Sequence, residues 1–345
     1  MLNNSPSIIS ADPAEAGPAE GFDDGPQDAP DTELRSIAVT AALHGERLDR
    51  ALAVLVPEFS RSYLAQLVEA GAVRVAARAA RKPSLKVKAG EGIEVELRPT
   101  PQSQAFQPEA IPLDVVYEDE HLLVLDKPAG LVVHPAPGNW SGTLLNALLA
   151  RHPRSADLPR AGIVHRLDKD TSGLMVVART RTAMDALVRL IAARDVRRQY
   201  VALAHRAWSG PAVRHVTGAV GRDPRNRLRM AVVDLLAQAG KPAATDVAWL
   251  ADAAGGEGCW VRCTLHTGRT HQIRVHMASL GHPLVADALY GGAPAAGLAR
   301  QALHAFRLAF VHPATGAAVD LRAPLPRDMR EALVRWGIEP VLPAV

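Results

Sequence analysis

An α+β fold in two unequal parts is predicted by three features of the sequence. Strand-like and helix-like runs are interspersed without the regular strand–helix alternation of a doubly wound sheet. Residues 36–98 carry a compact pattern of two short helices and a β-ribbon, enough for a small module. Residues 99–111 lack apolar periodicity and have prolines near both ends, marking a linker before a larger domain at 112–345. With 345 residues and 48% hydrophobic content, the chain can build both cores.

Residues 1–34 contain eight acids and no Lys or Arg, with few large apolar side chains. Such a segment cannot bury enough surface to offset its ordering entropy, so a disordered tail is expected. In the module, a helical run ends at Pro57. Ser60 is placed to cap a second helix with Leu64, Leu67 and Val68 on one face, and Gly71 terminates it. Alternation at Val73 and Val75, and at Ile93, Val95 and Leu97 after the Gly90-Glu91-Gly92 turn, predicts the ribbon. In the larger domain, Val115–Tyr117 and Leu122–Leu125 read as an antiparallel pair. Further strands are expected at Leu174–Val177, Tyr200–Ala204 and Trp260–Leu265. Met184, Leu187, Val188 and Ile191 recur at helical spacing and predict a helix packed on the sheet. A second helix is expected from near Thr270, with Ile273, Met277 and Leu280 inward and Gly281 at its end.

The net charge of +3 conceals a division: without the eight acids of the tail, the remainder carries +11. Ten Arg and only two acids, Asp195 and Asp223, lie between Arg189 and Arg229. The module has Arg47, Arg61, Arg74 and Lys86 among an excess of cations. A polyanionic partner, nucleic acid first, suits this balance. No stretch approaches the roughly twenty apolar residues of a membrane span, and the N-terminus is acidic where a signal peptide is positive, so a cytoplasmic protein is expected. Cys259 and Cys263, four apart on one expected strand, lie about 13 Å apart along it and read as core thiols rather than a disulfide.

The densest reactive cluster is Gly162–Ala178, GIVHRLDKDTSGLMVVA, a polar loop between two apolar runs. Asp168, Asp170 and Ser172 match the start of a calcium loop, but Arg179 stands where its bidentate Glu belongs. The run Asp168-Lys169-Asp170-Thr171 also fits the nucleophile motif of haloacid-dehalogenase-like phosphatases. There, however, an unbroken apolar strand should precede it, and His165 and Arg166 interrupt this one. His271 and His276 are five apart, which misses the helical zinc-pair spacing, and no metal site is expected. From the residues alone, Arg274 reads as a surface helix cation, Tyr200 as a half-buried strand tyrosine and Leu303 as a core leucine.

The segment HRLDKDTSGL resembles the catalytic motif of the RluA-type pseudouridine synthases. It is joined by RRQYVALA, GKPAATD, HTGRTHQIRVHMASLGHPLVAD, QALHAFRLAF and APLP, so the resemblance spans about residues 36–333. The segment RLDRALAVLVPEFSRSYLAQLVEAGAVRV resembles the S4 RNA-binding domain. It departs from that pattern at Ala76-Ala77, where Asn-Gly is common. The first resemblance implies a mixed, mainly antiparallel sheet and the cofactor-free isomerisation of uridine in ribosomal RNA of the large subunit, a stem-loop (helix 69) in particular, by a monomer. It implies Asp168 as the catalytic carboxylate, Arg274 as its partner, and Tyr200 stacked on the uracil and helping to remove the C5 proton in the last step. It further implies Arg166, with His165 beside it, at the place of the flipped nucleotide, and Leu303 as pocket lining. The second implies RNA-backbone contacts through Arg47, Arg61, Arg74 and Lys86. Arg198 and His205-Arg206 depart from the family's usual Lys and Gly. The same chemistry on transfer RNA, or a non-catalytic RNA-binding assembly factor, are the alternatives.

Overall fold

The computed structural model describes residues 33–97, 103–136 and 138–344, which divide into two compact units between residues 100 and 101. The expected tail falls outside the described residues up to position 32. Its last two positions do not belong to a tail, because β1 (Glu33–Ala38) already pairs Glu33 with Leu97 and Leu34 with Glu96.

In the first unit, α1 (Leu48–Leu55) and α2 (Arg61–Glu69) pack on a sheet of β1, β2 (Val73–Val75), β3 (Arg78–Ala80) and β4 (Gly92–Leu97) in the order β1-β4-β2-β3. Ser60 caps α2 by accepting the Tyr63 N–H at 3.2 Å, and Leu64, Leu67 and Val68 are buried as the spacing predicts. Two residues, Ala76 and Ala77, join β2 to β3, with φ of +48° and +63°. Paired positive φ values mark the type I′ turn, which Asn-Gly adopts freely and which costs an L-residue about 1–2 kcal/mol. Ala76→Asn with Ala77→Gly is therefore expected to stabilise this unit by about 1–2 kcal/mol, read as a higher Tm. An unchanged Tm would contradict this account of the turn.

The buried carboxylate of Asp49 collects Arg47 (Nε, 3.0 Å) and Arg61 (Nη2, 2.7 Å). Hydrogen bonding from Arg47, helped by Arg61, outweighs burial and holds Asp49 at about 2, below its ordinary 3.8. A carboxyl depressed in the fold adds stability above its unfolded value and loses it on acidification. Wild type should therefore lose more stability than Asp49→Asn between pH 4 and pH 2, as thermal melts at each pH will show.

The second unit is built on a sheet of ten strands among the described residues. They are β5 (Asp114–Glu118), β6 (Leu122–Lys127), β7 (Ser172–Ala178), β8 (Arg197–His205), β9 (Val213–Asp223), β10 (Asn226–Val233), β11 (Gly240–Asp252), β12 (Gly258–Leu265), β13 (Leu303–Val311) and β14 (Ala318–Arg322). The order is β10-β9-β11-β12-β8-β13-β7-β6-β5, with β14 on β13. All pairings are antiparallel except β13 with β7, so the sheet is mixed and mainly antiparallel as expected.

β7 is buried at every position because both faces of the sheet are covered. Met175 and Val177 enter one core with Tyr200, Leu303 and α3 (Leu144–Arg151). Leu174 and Val176 enter another with α4 (Arg181–Ala193). That alternation is the period-2 pattern of a strand between two layers. Gly173, at φ +116°, lies against β13 so closely that a Cβ would meet the Ala305 carbonyl at 2.3 Å, which explains the glycine of the DTSG run.

The face of α4 differs from expectation in one residue. Leu187 is buried, with Met184, Leu190 and Ile191 packed beside it, whereas Val188 is 47% exposed because the buried stripe turns one step further round the helix. The stretch expected as a linker is also partly anchored. The carbonyls of Ala105 and Gln107 accept Asn146 Nδ2 at 3.3 and 2.8 Å, and Glu109 accepts the Gly142 N–H at 2.9 Å, fastening the segment to the start of α3. Cys259 and Cys263 are buried free thiols on β12.

Candidate active site

The reactive loop begins at the end of an apolar run and is fastened from both sides. His165 accepts the Val176 N–H of β7 at Nε2 (3.0 Å), and burial pushes its imidazole down to about 3, leaving it neutral. Behind the loop the fully buried Lys127 donates to the carbonyls of Pro128, Leu131 and Lys169 at 2.8, 2.9 and 3.0 Å. Burial lowers Lys127 to about 8, opposed by Asp170 and Asp168. Thr171 N–H closes the turn on the Asp168 carbonyl at 3.1 Å. Asp168 is thereby presented to a cavity of about 420 Å³, within the size range of small-molecule sites.

Arg274 lies on α5 (Gln272–Ser279), a helix buried on nearly every side, and is only 6% exposed. It is not the surface cation that its residue type alone suggested. Its Nη1 donates to Asp168 Oδ2 at 3.0 Å, while Nε and Nη2 form a bidentate pair with Asp287 at 2.7 and 2.8 Å. Burial alone would lower the Arg274 pKa, but the two carboxylates outweigh it and raise it.

The helix starts at His271, which adopts φ +56°, a conformation costly for a side-chain-bearing residue and frequent at functional sites. His271 Nε2 stands 3.9 Å from Asp168 Oδ1, and its Nδ1 lies 2.8 Å from the Tyr290 hydroxyl. That hydroxyl also accepts the Met230 N–H at 3.0 Å. The Tyr290 ring carries Arg274 and Arg229 at 5.0 and 5.3 Å from its centroid.

Tyr200 and Leu303 line the same cavity, as do His165 and Arg166. Tyr200 is 6% exposed, and burial, with Asp168 adding to it, pushes its hydroxyl up to about 12. Arg160, Arg166, Arg194, Arg198 and Arg269 complete a basic wall. The buried Nε of Arg198 has no hydrogen-bond partner among the described residues. All six residues anticipated for the catalytic domain thus meet in one place. Arg47, Arg61, Arg74 and Lys86 lie in the other unit, all exposed, with the first two held by Asp49 and Lys86 bridging the backbone of Arg47. Lys127, His271, Asp287 and Tyr290 were not singled out for a role at this site from the sequence; the motif around THQIRVH was the available signal for His271.

Comparison with known proteins identifies the family. The RNA pseudouridylate synthase family model matches residues 121–279, and the S4 domain model matches 46–93. Ribosomal large subunit pseudouridine synthase D of Neisseria meningitidis serogroup B is 48% identical over 317 residues, covering 88% of this chain and 83% of that protein. The chain belongs to the RNA pseudouridylate synthase family. The synthase D of Xanthomonas campestris pv. campestris is 46% identical over 316 residues, covering 88% of this chain and 92% of the other. The solved structure of human RNA Pseudouridylate Synthase Domain Containing 4 shares the synthase fold, at TM-score 0.51 and 23% identity over 66% of this chain and 94% of that one.

Proposed function

We propose that this pseudouridine synthase isomerises uridines in ribosomal RNA of the large subunit, with Asp168 as its catalytic carboxylate and helix 69 as its target stem-loop. The observation that carries the reading is the Asp168–Arg274 pair, 3.0 Å long, inside a basic cavity of nucleoside size in a chain 48% identical to a named synthase D. The reaction cleaves the N-glycosidic bond, turns the uracil and rejoins C5 to C1′; the C5 proton is lost to solvent and N1, no longer bonded to the sugar, takes one up. Atoms are conserved, and no step calls for an oxidant. The carboxylate of Asp168 faces the positive charge that develops on C1′, and Arg274 holds it in place at 3.0 Å.

A base must leave its stack to reach the cavity, at a cost of a few kcal/mol. In this reading Arg166 fills the gap in the RNA and the Tyr200 ring receives the base, stacking being worth about 1–3 kcal/mol. In this reading Tyr200 also helps to remove the C5 proton in the last step. His165 acts indirectly, by fixing the loop. Arg198 adds its charge to the wall that receives the substrate. The S4-like unit supplies backbone contacts through Arg47, Arg61, Arg74 and Lys86, which position RNA without reading its sequence. The protein works as a cytoplasmic monomer; among the described residues no helix is long and apolar enough to cross a membrane.

Large-subunit RNA labelled with tritium at uridine C5 tests the activity directly. Release of tritium to water by the purified protein is expected. Tight RNA binding without release would replace this reading with that of a binding factor.

A further inference from the structure

A second cluster of ligating side chains stands apart from the catalytic carboxylate. His215 of β9 is directly opposite Asp246 of β11 in the antiparallel ladder, so both project from the same face. Asp246 is in turn opposite Thr264 of β12, and His266, two residues on, shares that face. His215 Nδ1 meets one carboxylate oxygen of Asp246, and His266 Nε2 meets the other at 2.7 Å. The two imidazoles are edge to face, 5.6 Å between centroids. One potential ligand atom from each residue lies within 4.8 Å of the others.

We propose that His215, Asp246 and His266 bind one divalent first-row transition ion of the Zn²⁺ class. Two imidazole nitrogens and one carboxylate oxygen form a donor set that zinc takes readily, at about 2.0–2.2 Å each, which separates the ligand atoms of a tetrahedral centre by about 3.4 Å. The separations in the cluster bracket that value, so small side-chain rotations convert the present hydrogen bonds into metal bonds. The single carboxylate leaves the complex with a net positive charge. Because His215 is 58% exposed in its side chain, the fourth position is open to water or an anionic oxygen. His266 also lines the cavity that contains Asp168, so the ion would tie three strands together at the border of the substrate site. No step of the isomerisation passes through it. A search for histidine pairs along the chain misses this set, whose members lie 31 and 20 residues apart and are joined only by strand register.

The test uses full-length protein without a histidine tag, stripped with chelator and dialysed against Zn²⁺. One zinc per chain is expected, with a chelator-reversible rise in Tm. His215→Ala, at an exposed position, and Asp246→Asn should each weaken zinc binding at least about tenfold and remove the Tm shift. Cobalt in place of zinc should give a visible tetrahedral spectrum in wild type only. The proposal is overturned if wild type retains no zinc. It is also overturned if His215→Ala retains zinc while His271→Ala loses it, which would put the ion in the catalytic cavity.

Discussion

Asp168→Asn is expected to leave RNA binding intact and to lower uridine isomerisation by at least about 10³-fold, or about 4 kcal/mol of transition-state stabilisation. The side chain keeps its size, and its amide oxygen can still accept from Arg274. The cation is not orphaned, since its bidentate pair with Asp287 remains. What disappears is the negative charge beside C1′. Single-turnover kinetics on saturating RNA, with binding measured in parallel, separates this loss from a defect in affinity. A variant retaining a tenth or more of the rate would remove Asp168 from the centre of the mechanism.

Asp287→Ala should have the second-largest effect, although this carboxylate does not line the cavity. Asp287 is buried, 2% exposed, and provides two of the three hydrogen bonds of Arg274. Removing it leaves a buried guanidinium with only Asp168, and breaking a buried pair in this way costs about 3–5 kcal/mol. Arg274 would then lose its orientation, and the rate should fall together with Tm. Replacing both partners by apolar residues, Arg274→Met with Asp287→Leu, is expected to recover much of the Tm but none of the activity. Recovery of activity in that double variant would mean that the buried charges serve stability alone.

What could be read in advance was governed by how local each signal is. The ribbon, the hairpins, α2 with its Ser60 cap and the α+β class follow from alternation, spacing and turn residues within a few positions of one another. The catalytic loop was visible because its residues are contiguous and resemble a known motif. Apart from Arg274, the partners that fix it were not, because they are set by long-range register: β13 pairs in parallel with β7 across 132 residues, from Ser172 to His304. By residue type alone Arg274 reads as a surface cation, since residue type carries no information about the Asp287 and Asp168 carboxylates that permit its burial; its pairing with Asp168 was legible only through the resemblance. Lys127 was hidden for the same reason, since its three partners are backbone carbonyls of two loops. Val188 fits a helical stripe by spacing, but the face that α4 buries runs through Ala183, Leu187 and Leu190, with Met184 and Ile191 beside them.

The central claim, that this synthase modifies large-subunit RNA through Asp168, is tested most directly by carbodiimide-probed primer extension. Large-subunit RNA, free and in assembled particles, would be incubated with wild type or Asp168→Asn and read at every uridine. The account predicts new stops with wild type only, clustered in the helix 69 stem-loop. Equal stops with both proteins, or none with either, would contradict it.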